Sequence, residues 1–242
     1  MTLRSKIKGA KSYVQGFFLS VDIKSSVKKI RQNNLSYLST ANLYDIAIAI
    51  IKLRRQGIKG KYVEAGVALG GSAILIAKVK PLESRLDLFD TFSHIPEPSE
   101  RDGMDVIERY KTIQDGQAVG IGGNLYYGYE RDLVEKVKAN MAEFDVATEK
   151  RNVIFNKGLF SETMHFKDPI CFAHIDCDWY ESVYTSLERI SPHLVPGGII
   201  IIDDYEDWSG CREAVDDFLA KFSTQYRLGV QWKTKLHIVK SV

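Results

Sequence analysis

Residues 172–182 read Phe-Ala-His-Ile-Asp-Cys-Asp-Trp-Tyr-Glu-Ser, and residues 196–205 read Pro-Gly-Gly-Ile-Ile-Ile-Ile-Asp-Asp-Tyr. Each stretch contains a short apolar run that is typical of a buried strand, and each run leads into two aspartates. Open α/β sheets bind their ligands in the crevice at the carboxyl ends of parallel strands. We therefore expect four carboxylates to converge there. They are Asp176, Asp178, Asp203 and Asp204.

Four converging carboxylates would repel one another unless a cation, a proton or a polar substrate offsets their charge. A hard divalent cation is the simplest occupant, because such ions take oxygen ligands. The alternative is that these aspartates only cap the helices that follow the two strands. One cap per turn would leave the second aspartate of each pair unexplained, which favours a functional cluster.

The composition is that of an ordinary globular chain, with 242 residues, 45% hydrophobic and 26% charged. It suits one sizeable domain, or one domain with a helical extension. No apolar run is long enough for a transmembrane helix, and the first residues do not resemble a secretory signal. The three cysteines lack a metal-binding spacing and indicate reduced thiols, which predicts a cytoplasmic location.

The positive charge is concentrated at the amino terminus. Residues 1–61 hold 13 lysines and arginines against two acidic residues, whereas the whole chain has 33 against 31. One apolar stripe at helical spacing runs through this segment: Leu3, Ile7, Ala10, Val14 and Phe17. The stripe predicts a helical arm that covers its own domain, contacts another subunit in a homo-oligomer, or lies on an anionic membrane. Nucleic-acid binding is disfavoured, since no aromatic and basic stacking pattern accompanies the charge.

Strand-like and helix-like segments alternate along the rest of the chain. This order predicts an α/β fold with a Rossmann-like, mostly parallel sheet, helices on both faces and an antiparallel hairpin over 226–239. We expect an amino-terminal helical arm or cap over 1–58 and the main domain over 59–242, with an insertion or lid near 91–130. Predicted strands cover 61–66, 84–90, 152–156, 170–175 and 198–202. Predicted helices cover 40–55, 73–79, 106–113, 130–144, 180–190 and 211–222.

A glycine-rich turn follows the first predicted strand. Residues 63–72 read Val-Glu-Ala-Gly-Val-Ala-Leu-Gly-Gly-Ser, so an acid, Glu64, precedes a turn that enters a helix. Glycines let the backbone approach a ligand closely, and a helix amino terminus offers free N–H groups. The spacing is neither G-x-G-x-x-G nor a P-loop. Asp90 ends the second strand, where an acid is placed to accept both hydroxyls of a ribose. Together these features predict an adenosine-type cofactor.

Several motifs, in order from about residue 37 to the end, resemble the macrocin O-methyltransferase family. They are Glu64-x-Gly-Val-x-x-Gly-Gly-Ser72, Asp90-Thr-Phe92, Lys157-Gly-x-Phe160, Ile175-Asp-x-Asp-x-Tyr-Glu-Ser182, and Gly197-Gly-x-x-x-x-Asp-Asp-Tyr205. Members of this family are class I enzymes that use S-adenosylmethionine and magnesium to methylate a sugar hydroxyl. The resemblance implies a sugar-containing small molecule as the acceptor.

The resemblance also implies roles for individual residues. The cofactor would be bound by Glu64, Gly66, Ser72, Asp90, Thr91, Phe92, Gly158 and Asp176. Mg²⁺ would be bound by Asp176, Asp203 and Asp204. Members can place a general-base histidine before the helix at Glu130, but this chain has no histidine there after His94 and instead has Tyr126, Tyr127 and Tyr129. Asp178 and Asp176 are our candidates for the catalytic carboxylates, and Asp178 is also a candidate cap for the helix at Tyr180.

Other interpretations remain open. A catechol or phenol O-methyltransferase would use a carboxylate-bound metal in the same way, so the aspartate cluster does not exclude it. His174-x-Asp176, with His193 or His237, would suit a non-haem iron oxygenase, although a hydrogen-bonded core histidine is the simpler reading of His174. A non-catalytic membrane-associated binding protein would use the basic arm. Two aromatic residues, Trp179 and Tyr180, suit either stacking on a sugar or packing inside the protein.

Overall fold

The computed structural model describes residues 19–222, 224–228 and 235–241. The apolar stripe of the predicted arm lies outside these residues. The α-helices among the described residues are α1 Val21–Gln32, α2 Thr40–Arg55, α3 Gly71–Val79, α4 Met104–Gln114, α5 Leu133–Ala142, α6 Phe160–Thr163, α7 Tyr180–Ile190 and α8 Ser209–Phe222. The strands are β1 Lys61–Ala65, β2 Leu86–Asp90, β3 Val153–Lys157, β4 Ile170–Ile175, β5 Leu194–Ile202, β6 Tyr226–Leu228 and β7 Leu236–Lys240.

The seven strands form one sheet in the order β3-β2-β1-β4-β5-β7-β6. The first five are parallel to one another, and β7 is antiparallel to both β5 and β6. The predicted α/β sheet with an antiparallel carboxyl-terminal hairpin is confirmed, with β7 inserted between β5 and the edge strand. The strand order reverses between β1 and β4, the position where open α/β sheets bind ligands.

The predicted bounds of α2, β4 and α7 are confirmed, whereas β5 begins four residues before its predicted start. Pro196 and Gly197 argue against a regular strand at that point. The structure accommodates them in an irregular pairing, since Ile170 pairs with Leu194 but Phe172 pairs with Ile199. Gly197 has a φ of 76°, a conformation that favours glycine.

Each face of the sheet is covered by helices. Helices α1, α2, α3 and α5 pack on one face in a cluster that includes Tyr62 and Phe172. Helices α7 and α8 pack on the other face with Ala173 and Ile175, as the alternation of side chains along a strand requires. The described residues of the predicted cap therefore share a core with the main domain, and the boundary at residue 58 stays a prediction. No helix among the described residues is long and apolar enough to cross a membrane.

Candidate active site

Three carboxylates meet at the carboxyl ends of β4 and β5. Asp176, Asp178 and Asp204 can bring one oxygen each within 4.8 Å of one another. They are the only group of three histidine, cysteine or acidic residues close enough to hold a metal within the described parts of the chain. The convergence predicted for the paired aspartates therefore holds for these three.

Asp203 lies in a different environment from the other three aspartates. Its N–H donates to the carbonyl of Ile175 at 2.9 Å, so Asp203 still follows the alternation of the strand. Its carboxylate forms an ion pair with Lys235 and lies 4.0 Å from Nε2 of His174. The structure groups Asp178 with Asp176 and Asp204, and the expected role of Asp203 as a metal ligand stays a prediction.

The paired aspartates do not cap the next helices. The first N–H of α7, from Tyr180, donates to Oδ1 of Asp102 at 2.8 Å. The first N–H of α8, from Ser209, donates to Oδ2 of Asp105 at 2.9 Å. Both capping acids come from the insertion that follows β2. The capping roles considered for Asp178 and its neighbours are thus filled by other side chains.

Burial and mutual repulsion shift the pKa values of the cluster. Burial, then the charges of Asp203 and Asp204, raise the pKa of Asp176 well above its usual value. Burial also raises the pKa of Asp178, to about 6, and that of Asp204 well above its usual value. For Asp203, the Lys235 ammonium and His174 outweigh burial and lower the pKa. The three adjacent carboxylates thus take up protons more readily than isolated carboxylates do, unless a cation offsets their charge.

The cluster has the chemistry of a site for a hard divalent cation. Oδ2 of Asp204 is buried and has no hydrogen-bond partner among the described residues. A buried acceptor without a partner costs free energy that a bound cation would offset. The donor set consists of carboxylate oxygens, which suit Mg²⁺.

His174 is a core residue rather than a metal ligand. It is fully buried, and its Nδ1 lies 3.0 Å from Oε1 of Glu64, which is also fully buried. Burial opposes its charged form, but Asp203 and Glu64 outweigh burial and raise the pKa of His174 to about 9. The second histidine proposed for an iron site, His237, lies 2.7 Å from Asp45 on α2. The described residues thus offer no facial triad for iron.

The glycine turn brings the carboxyl end of β1 against Asp176. Gly66 has a φ of 87°, and a Cβ there would overlap the carbonyl oxygen of Asp176. The N–H of Asp176 donates to the carbonyl of Ala65 at 2.8 Å. Ser72 lies buried in the first turn of α3. Glycine at position 66 is therefore required for the close approach of the cofactor turn and the acidic cluster.

Asp90 uses its carboxylate to hold the surrounding loops. Oδ2 accepts hydrogen bonds from the N–H groups of Val67 at 2.7 Å and Ala68 at 3.2 Å. Oδ1 accepts from the N–H of Phe92 at 2.8 Å and from the hydroxyl of Thr91 at 3.3 Å. The Thr91 hydroxyl carries a single proton and also lies 3.1 Å from the carbonyl oxygen of His94, so three backbone N–H groups are the fixed donors to a carboxylate that has four acceptor positions. The expected role of Asp90 as a ribose acceptor stays a prediction.

A cleft of about 760 Å³, part of it open to solvent, lies beside the cluster. The predicted site residues that line it are Gly66, Asp90, Thr91, Asp176 and Asp178. Those that do not line it are Glu64, Ser72, Phe92, Gly158, Asp203 and Asp204. Phe92 is buried and packs against Phe155, with the ring centres 5.6 Å apart.

Other residues of the cleft received no cofactor, metal or catalytic role in the sequence analysis. Helix α6 contributes Phe160 and Ser161, the first two turns of α7 contribute Glu181, Ser182 and Thr185, and the insertion contributes Ser93, Ile95, Pro96 and Tyr127. Phe160, Glu181 and Ser182 belong to the motifs quoted for the family resemblance, whereas the polar groups of Ser93, Ser161 and Thr185 follow no motif.

Neither aromatic residue considered for sugar stacking is open to a ligand. Trp179 is buried, and its Nε1 donates to the carbonyl of Pro96 at 2.9 Å. Its ring packs edge-on against Trp208. The hydroxyl of Tyr180 donates to Asp217 at 2.9 Å. Both side chains therefore pack within the protein, and the hydrogen bond from Trp179 to Pro96 holds the insertion against the start of α7.

The comparisons with known proteins agree with this geometry. The chain matches the family described as Macrocin-O-methyltransferase (TylF) over residues 32–228. It is 30% identical over 193 residues to demethyldecarbamoylnovobiocin O-methyltransferase from Streptomyces niveus, which covers 73% of this chain and 66% of that relative. It is 29% identical over 174 residues to 8-demethyl-8-(2,3-dimethoxy-alpha-L-rhamnosyl)-tetracenomycin-C 4'-O-methyltransferase from Streptomyces olivaceus, covering 69% of this chain and 60% of the relative. The chain thus spans less than two thirds of the length of these relatives.

Solved structures show the same fold. The O-methyltransferase NovP superposes with a TM-score of 0.70 at 23% identity, covering 86% of this chain and 83% of NovP. The calicheamicin methyltransferase CalS11 superposes with a TM-score of 0.59 at 18% identity, covering 90% of this chain and 91% of CalS11. With the match over residues 32–228, these findings show that the chain belongs to the macrocin O-methyltransferase family.

Proposed function

We propose that this protein is an O-methyltransferase that uses S-adenosylmethionine and Mg²⁺ to methylate a hydroxyl of a sugar-containing small molecule. The observation that carries the proposal is the half-buried cluster of Asp176, Asp178 and Asp204, which makes no helix caps and lies beside a glycine turn. The relatives named as methyltransferases of novobiocin and tetracenomycin precursors support the substrate class.

The cofactor is proposed to lie over the β1–α3 turn and the carboxyl end of β2. S-adenosylmethionine supplies an electrophilic methyl group on its sulfonium. Gly66 keeps the turn close to Asp176, and Asp90 fixes the N–H groups of Val67, Ala68 and Phe92. Asp90 would therefore shape the cofactor site by ordering its loops, and its carboxylate would accept the ribose hydroxyls.

Asp176, Asp178 and Asp204 would hold the cation. A divalent cation supplies Lewis-acid activation of a hydroxyl and orients neighbouring oxygens. The residues of the cleft must place the acceptor oxygen in line with the methyl group, which is the main requirement for methyl transfer.

Asp178 is the best-placed proton acceptor. It lines the cleft together with Asp176, so its carboxylate faces the space in which an acceptor hydroxyl would bind. The tyrosine alternatives suit this role less well. Burial raises the pKa of Tyr126 to about 12 and that of Tyr127 well above 10, and the hydroxyl of Tyr129 donates to the carbonyl of Ile113 at 2.6 Å.

The basic amino-terminal segment supports a homo-oligomer and peripheral membrane contact through the arm, and the reduced thiols support a cytoplasmic location. All three parts of the proposal rest on the sequence.

The experiment is a transfer assay with methyl-labelled S-adenosylmethionine and a panel of glycosylated acceptors and catechols. We expect label in a sugar-containing acceptor, its loss in excess chelator and its return with Mg²⁺. Transfer only to catechols would favour the phenolic alternative. Undiminished transfer in chelator would remove the metal from the proposal.

A further inference from the structure

Lys235 brings a buried positive charge to the edge of the acidic cluster. Its side chain is fully buried, and its ammonium forms an ion pair with Oδ1 of Asp203, whose side chain is 9% exposed. A buried ammonium is costly unless it is paired. Apart from this ion pair, Nζ of Lys235 has no hydrogen-bond partner among the described residues.

The pairing of β7 with β5 fixes the position of Lys235. Strand β7 pairs with β5 so that Leu236 lies opposite Ile202. In an antiparallel pair the preceding residue, Lys235, then lies opposite the following residue, Asp203. Asp203 is followed in the sequence by Asp204, which belongs to the cluster of three aspartates. The carboxyl-terminal hairpin therefore delivers a fixed cation next to the proposed metal site.

We propose that Lys235 is a positioning residue that competes with the divalent cation for Asp203. The inference rests on the proposed metal-assisted function. It has two consequences, because Lys235 both withdraws one carboxylate from the cation and places a like charge close to it. The aspartates would then hold the cation more weakly than they would without Lys235.

The charge of Lys235 is what distinguishes this role from simple packing. A unit charge within several ångströms of a divalent ion changes its affinity by about tenfold or more at the effective dielectric constant of protein sites. A lysine that only filled space would leave metal affinity unchanged when replaced by a residue of similar shape.

The test is a titration of the purified chain with Mn²⁺, in which electron paramagnetic resonance measures the free ion. Lys235→Met should bind Mn²⁺ about tenfold or more tightly than the wild type, whereas Lys235→Arg should bind it as the wild type does. An affinity of Lys235→Met that is equal to or weaker than that of the wild type would overturn the inference, as would the absence of Mn²⁺ binding in every variant.

Lys80 provides a matched control. It is also buried, and its ammonium donates to the carbonyls of Ser84 and Arg151, each at 2.6 Å. These carbonyls lie beside the amino ends of β2 and β3, at the opposite end of the sheet. Lys80→Met removes a buried charge without a change at the cluster, so its Mn²⁺ affinity should match that of the wild type. A tenfold gain in this variant too would attribute the effect to general loosening and overturn the inference.

A second variant covers the case in which Lys235→Met does not fold. Asp203→Asn with Lys235→Met removes both members of the ion pair and keeps their summed charge at zero, so its Mn²⁺ affinity should stay within about threefold of the wild type. A tenfold change in the double variant would contradict the role of charge balance.

Calorimetry with S-adenosylhomocysteine distinguishes a failure of this inference from a failure of the proposed function. Intact binding of this ligand together with an unchanged Mn²⁺ affinity in Lys235→Met would overturn the inference and leave the cofactor assignment standing. If the wild type does not bind S-adenosylhomocysteine while Lys235→Met binds Mn²⁺ more tightly, the inference stands and the cofactor assignment is overturned.

Discussion

Replacement of Asp178 by Asn separates catalysis from stability. Burial and the neighbouring carboxylates raise the pKa of Asp178 from 3.8 to about 6. At about 1.4 kcal/mol per pKa unit, the ionised group costs the metal-free folded state about 3 kcal/mol at pH 8. Asn has nearly the same shape and carries no charge. It also tolerates the φ of 61° at this position, since Asn is among the residues that most readily adopt it.

We expect Asp178→Asn to raise the free energy of unfolding by up to about 3 kcal/mol at pH 8 in chelator, or about 6–12 °C in Tm. The folded pKa lies above the unfolded one, so the penalty in the wild type is complete above the folded pKa and is lost as the pH falls below the unfolded value. The gain should therefore shrink toward zero between pH 8 and pH 4. Methyl transfer should fall about a hundredfold or more, because the proton acceptor is lost.

Urea unfolding at pH 8 and pH 4, with the transfer assay run on the same samples, provides the measurement. A variant that is less stable than the wild type at pH 8 would show that Asp178 makes favourable contacts and refute the electrostatic reasoning. Full methyl transfer would refute its catalytic role.

Three further outcomes are expected. Asp102→Ala should lower the free energy of unfolding by about 2 kcal/mol in urea, because Asp102 caps α7 and binds Ser99; unchanged stability would refute the capping role. Asp90→Asn should weaken S-adenosylhomocysteine binding by about tenfold in calorimetry, because an amide oxygen cannot accept all three hydrogen bonds from Val67, Ala68 and Phe92; equal affinity would place the cofactor elsewhere. The rise in Tm caused by Mg²⁺ should be larger at pH 8 than at pH 5, because protons compete with the ion for Asp178, whose pKa is raised to about 6; a larger shift at pH 5 would contradict the assigned ligands.

The fold was predictable because its signals are local. The apolar runs before Asp176 and Asp203 mark buried strands, and their order with the intervening helix predicts parallel neighbours. The bulge at Pro196 was missed because strand pairing accommodates an interruption that reads locally as a break.

The fine structure of the site was less predictable because it depends on residues far apart in the chain. Asp102 and Asp105 become caps only when the insertion folds against α7 and α8. Lys235 reaches Asp203 only because β7 pairs with β5. Sequence spacing identified four aspartates near one crevice but not which of them would be neutralised by a distant lysine.

Asp90 illustrates a related limit. An acid at the end of the second strand is the usual signal for ribose recognition. The structure shows that backbone N–H groups from two loops already occupy its oxygens. A motif predicts where a carboxylate lies, whereas its partners depend on the conformation of the loops around it.

We infer that the β1–α3 turn and the acidic cluster form the site of a methyl-transfer cofactor. Isothermal titration of the purified chain with S-adenosylhomocysteine is the decisive experiment, with NAD as a control nucleotide. We expect saturable binding of one S-adenosylhomocysteine per chain and no heat from NAD. A well-folded protein that binds NAD, or that binds neither ligand, would contradict it.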